Sequence, residues 1–70
     1  MNASQRVVYL DLISNPPRAE DRLTGLGAAY WHGFNNPGVS VEHAGPIVGL
    51  PGSKARAAFK AGQTAASKRK

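Results

Sequence analysis

The chain has 70 residues, no cysteine and a formal net charge of +5. One small domain is the most that this length can build, because so short a chain buries only about 60% of the surface its unfolded state exposes. Without cysteine there is neither a disulfide staple nor a thiolate metal site, so helix packing, self-association or a partner must supply stability.

The charge is unevenly placed. Residues 1–52 carry Arg6, Arg18 and Arg22 against Asp11, Glu20, Asp21 and Glu42, a net −1, whereas residues 53–70 contribute +6 and no acid. A near-neutral body with a cationic C-terminal segment suits a polyanion such as RNA, DNA or an acidic protein surface. No apolar run approaches the ~18–20 residues that span a bilayer. The N-terminus also lacks the basic, apolar, small-residue order of a signal peptide. A cytoplasmic location is expected.

Residues 4–13 (SQRVVYLDLI) carry two patterns at once. Val8, Leu10 and Leu12 alternate as in a strand, a state that valine and tyrosine favour. Ser4 is equally placed to cap a short helix with Val7, Leu10 and Ile13 on one side. A lone strand lacks an evident pairing partner, which favours helix without excluding strand. Asn15-Pro16-Pro17 ends the segment either way, since the residue before proline disfavours helix.

From about residue 21 to 34, Leu23, Leu26, Gly27, Tyr30, Gly33 and Phe34 fall at offsets 0, 3, 4, 7, 10 and 11. That spacing predicts one face of a helix. Each interior glycine costs about 1 kcal/mol relative to alanine, so glycines on a contact face point to close helix packing. Trp31 and His32 sit beside this stripe. They are candidates for stacking on unpaired bases, with a lid over a small core as the structural role open to Trp31.

Asn35-Asn36-Pro37-Gly38 stops the helix, and Pro37-Gly38 suits the centre of a type II turn, whose second position needs positive φ. The connector Val39–Gly52 is long for a helical hairpin and holds three glycines and two prolines. Val39, Val41, Ile47, Val48 and Leu50 are apolar enough to pack over one end of a helix pair. Gly49–Lys54 has the composition of a phosphate-binding loop in scrambled order, with no strand before it, so nucleotide hydrolysis is rejected. What survives is a helix N-terminus whose amides, Ser53 hydroxyl and Lys54 can hold a phosphate.

The last helix is predicted over residues 53–67, with Ser53 as its N-cap. Ala55, Ala58, Phe59, Gly62, Ala65 and Ala66 repeat the offsets of the earlier stripe. Lys54, Arg56 and Lys60 project off that face, and Lys68, Arg69 and Lys70 form a basic tail. These six are the candidate residues for binding RNA or another polyanion. The expected fold is therefore all-α: two closely packed helices (about 21–34 and 53–67) joined by a long Gly/Pro loop, plus a helix or strand at 4–13. His32 and His43 lie in different segments with no serine, cysteine or carboxylate at a telling spacing. Neither catalysis nor a metal site nor a cofactor is expected.

Two motifs carry a family resemblance. Ala29-Tyr30-Trp31-His32-Gly33-Phe34 resembles the Ala-x-x-x-Gly-aromatic motif in the first main helix of the ribosome modulation factor family. Arg56–Gly62, with Ala66 four residues on, is similar to the Arg-x-x-Trp-x-x-Gly…Ala pattern of its second helix. Gly45-Pro46-Ile47 falls near the family's Cys-Pro-Tyr turn. The match covers residues 28–66. Gln63 stands where the family has an aromatic, and the family's basic N-terminus has no counterpart in residues 1–27.

The resemblance implies a small helical protein that binds ribosomal RNA on the small subunit and helps hold ribosomes in an inactive, stored state. Lys54, Arg56 and Lys60 would then contact phosphates, with the 68–70 tail adding non-specific attraction. The alternative is a phage or mobile-element inhibitor or adaptor that binds a host protein or nucleoprotein complex, through the apolar segment Val7–Ile13. Homodimerisation is compatible with both, because residues 7–13 offer more apolar surface than two thin helices can cover.

Overall fold

Fifteen residues near the C-terminus, rich in alanine, organise everything else. Alanine is the strongest helix former and the smallest residue that keeps a side chain, so a helix made of it forms readily and lets neighbours approach. In the computed structural model, which describes residues 1–18, 20 and 25–68, this helix is α4 (Lys54–Lys68). Ahead of it come α1 (Ala3–Ser14), α2 (Gly25–Asn35), a 3-10 turn at Val41–His43 and the single-turn α3 (Pro46–Gly49). The domain is all-α, with no strand among the described residues. None of its described helices is long and apolar enough to cross a membrane. Leu23 and the expected start of α2 lie outside the described residues.

Both α1 and α2 pack chiefly on α4. Ala57, Ala58, Phe59 and Ala61 of α4 are fully buried, as is nearly all of Tyr30 on α2. The α2–α4 contact runs through glycine on each side. A Cβ on Gly33 would land on the Phe59 carbonyl, and one on Gly62 would land on the Tyr30 carbonyl and 2.9 Å from the Phe34 nitrogen. The matching stripes of the sequence meet here. Each glycine faces backbone of the aromatic residue opposite rather than its ring.

Residues 4–13 are helical, and the helix extends to residues 3 and 14. Its N-cap is Asn2 rather than Ser4. The Asn2 side chain accepts from the Gln5 amide at 2.8 Å, and the Gln5 side chain accepts from the Asn2 amide at 3.1 Å. This reciprocal capping box satisfies two amides that a helix start leaves open. The inward face is Gln5, Val8, Tyr9, Leu12 and Ile13, while Val7 and Leu10, which the sequence grouped with Ile13 on one side, are 67% and 55% exposed. Gln5 is 4% exposed and is satisfied by donating to the Ser53 carbonyl at 2.9 Å. Tyr9 reaches Thr64 of α4 through a 2.8 Å hydroxyl–hydroxyl hydrogen bond.

The turn after α2 closes through Val39 N–H donating to the Asn36 carbonyl at 3.2 Å. It is not the type II turn expected, because Gly38 does not adopt a positive φ. The Gln63 amide supplies the reason. It donates to the carbonyls of Asn36, Pro37 and Val39 at 3.1, 3.4 and 2.5 Å, which holds the Pro37–Gly38 peptide on the α4 side. Of the connector's apolar residues, Val41 is buried and Val48 half-buried against the core, whereas Ile47 and Leu50 face outward. Pro46 opens α3 at a position where its missing amide costs nothing.

Candidate polyanion-binding edge of α4

The N-terminus of α4 forms as expected. Gly52 takes φ of 78° and delivers the chain to Ser53, whose hydroxyl accepts from the Arg56 amide at 3.1 Å. The Ser53 hydroxyl also donates to the Ile47 carbonyl at 3.4 Å, tying the cap to α3.

Helix geometry then distributes the cations. Lys54 and Arg56 are two residues apart, about 200° around the axis, so they leave on opposite sides. Arg56 and Lys60 are one turn apart and share an edge, which Gln63 and Ser67 continue at steps of three and four residues. Lys54 and Lys68 are exposed near the two ends of the helix, and Lys60 is half-buried between them. The four described candidate cations therefore do not form one stripe. Arg69 and Lys70 lie outside the described residues.

Arg56 is committed to the connector. Its guanidinium donates to the Gly49 carbonyl at 2.9 Å and to a Glu42 carboxylate oxygen at 2.7 Å. The other Glu42 oxygen accepts from the Ser40 hydroxyl at 2.6 Å. That hydroxyl, followed by the Glu42 backbone amide and the Arg56 guanidinium, pushes the Glu42 carboxyl down from its ordinary 4.5 to about 2. The pair clips the connector to α4 and offsets the charge of Arg56. Nothing in the sequence singled out a partner 14 residues upstream across an irregular loop.

Between the start of α1 and the Arg56 edge lies an open cleft of about 450 Å³, lined by Met1, Gln5, Glu42, Arg56 and Lys60 among others. It is wide enough for a phosphate group, and Lys60 and the Arg56–Glu42 pair are among its lining residues. Trp31 sits elsewhere, on α2. Its indole nitrogen donates to the Arg18 carbonyl at 3.1 Å, and its ring meets those of Tyr30 and Phe34 edge-on at 5.1 and 5.0 Å. Those contacts make it a lid on the core. His32 is exposed, with its ring 5.4 Å from that of Phe59. Among the described residues no group of three or more histidines and carboxylates is gathered that could hold a metal ion.

Comparisons with family models, with curated proteins and with solved structures found no match to this chain.

Proposed function

We propose that the protein is a non-enzymatic RNA-binding factor that acts on the ribosome to modulate translation or ribosome storage, as its resemblance to the ribosome modulation factor family implies. The observation that carries this reading is the surface of α4. Lys54, Lys60 and Lys68 reach solvent from a helix that holds no acid, and Glu42 on the neighbouring connector is already bound by Arg56. Backbone phosphates are the natural counter-charges for separated lysines on a rigid helix, because such contacts need positive charge and not base-edge geometry. Arg56 braces the edge while Lys60 and the helix ends meet phosphate, with the 68–70 tail adding long-range attraction. His32, with its exposed ring, is the candidate for stacking on an unpaired base.

A second reading, a small adaptor for a host protein or nucleoprotein complex, draws support from the outward-facing Ile47 and Leu50 on the connector. Co-sedimentation with ribosomes over a salt series separates the two. The wild-type chain should pellet at low salt, and a Lys54→Ala/Lys60→Ala/Lys68→Ala variant should lose most of that binding. Its log–log salt slope should fall by roughly 2, at ~0.7–0.9 per phosphate contact removed. Equal pelleting of the two proteins, or pelleting of neither, rejects the RNA reading. Recovery of a protein partner from nuclease-treated extract at high salt would support the adaptor.

A further inference from the structure

The face of α1 that points away from α4 has an order of its own. Ala3, Val7, Leu10 and Ser14 fall at spacings of 4, 3 and 4, the seam of a coiled coil, with Val7 at an a position and Leu10 at a d position. All four are exposed, and the seam lies about 180° from the Gln5–Leu12 face that packs on α4. Among the described residues, the elements that α1 packs on are therefore behind it and leave the seam open. A β-branched residue at a with leucine at d favours two parallel strands.

The flanking charges select the same arrangement. Arg6 is the g residue and Asp11 the following e residue, on opposite edges of the seam. Both are exposed, and among the described residues neither has an ion pair of its own. Within one helix they lie about 140° apart and cannot meet. In a parallel pair, g of one helix faces e of the next heptad on the other, so Arg6 meets the second copy's Asp11, twice by symmetry. An antiparallel pair would instead put both arginines along one edge and both aspartates along the other.

We infer that α1 is a self-association face on which a second copy of this chain pairs in parallel along Ala3, Val7, Leu10 and Ser14. The seam is about 18 Å long and less than two heptads, so the interface is small and the dimer weak, with a dissociation constant on the order of 0.1–1 mM.

Sedimentation equilibrium over a concentration series to ~2 mM reads the association directly. The mass should rise from 7.4 kDa toward twice that value. Val7→Glu and Leu10→Lys, both at exposed positions, should hold the mass at one chain with an unchanged helical circular dichroism spectrum. Arg6→Glu should weaken the dimer roughly 5-fold, and Arg6→Glu/Asp11→Lys should restore it. Orientation is read by cysteine pairing under oxidised glutathione. Ser14→Cys should cross-link to itself, because like positions meet in a parallel pair. A mass that stays at one chain, a dimer that survives Val7→Glu, or cross-linking only between Ala3→Cys and Ser14→Cys proteins would each overturn the inference.

Discussion

Against α2, helix α4 offers Gly62 flanked by Ala58 and Ala66, and the two backbones come within van der Waals reach. Against α1 it offers Ala57, Ala61 and Thr64, and the gap is filled by the larger Val8, Tyr9 and Leu12 with polar ties at either end. The first contact has no slack, since the atom that any added carbon would strike is main chain. The second is built from side chains that can shift. One helix thus holds a stiff partner and a yielding one, and the difference predicts how each responds to substitution.

The largest effect should come from Gly62→Ala, and Gly33→Ala should act likewise. A domain of this size is worth about 4–10 kcal/mol in total, and an overpacked backbone contact with no side chain to move costs more than ~3 kcal/mol. Thermal denaturation by circular dichroism should show the variant largely unfolded at room temperature or melting far below wild type. A normal melting temperature would mean that the helices can separate without loss, and the contrast with α1 would collapse.

Leu12→Ala should cost about 2–3 kcal/mol, because Leu12 is 9% exposed and lies at the rim of the core where neighbours can partly close the space. Urea denaturation should show a lowered midpoint with an intact folded baseline. A loss as large as that of Gly62→Ala would show the α1 contact to be as unyielding as the other.

The smallest effect concerns the connector. The Glu42 carboxyl titrates at about 2 in the folded chain against an ordinary 4.5. Its bonds to Ser40 and Arg56 therefore stabilise the fold fully above the higher value. That contribution is lost as pH falls through the interval toward the lower value. Glu42→Gln should leave the two closely packed faces intact and flatten the acid dependence of the melting temperature between pH 4.5 and about 2. An unchanged pH profile would place the acid sensitivity in other carboxylates.

The sequence revealed the α2–α4 pair because its information is local: identical offsets in two segments, glycines where helices dislike them, and Ser53 at a cap position. The facing of α1 was harder to see. Its inward surface includes a glutamine, which hydropathy assigns to solvent, and its outward surface includes Val7 and Leu10, which hydropathy assigns to the core. Asn2-x-x-Gln5 has a capping-box spacing that could have placed the start of the helix, but the side that turns in depends on contacts with α4. Ala57 and Ala61 escaped notice for a different reason. Alanine on every side of a helix marks no side, so a second packing face was invisible until a partner lay on it. At the candidate site, the exposed lysines of α4 followed from charge alone. The engagement of Arg56 depended on a tertiary loop that no spacing encodes.

The dependence of both neighbours on α4 also bears on the order of events during synthesis. Both α1 and α2 precede α4 in the chain, and the bonds that hold α1 join residues 48 and 55 positions apart. At a translation rate of about 5–20 residues per second, α1 waits roughly 2–10 s for the helix it needs. Until then its capped, half-apolar helix has nothing native to rest on. The domain cannot fold piecemeal from its beginning; it closes when α4 emerges, and the nascent chain stays open until that moment.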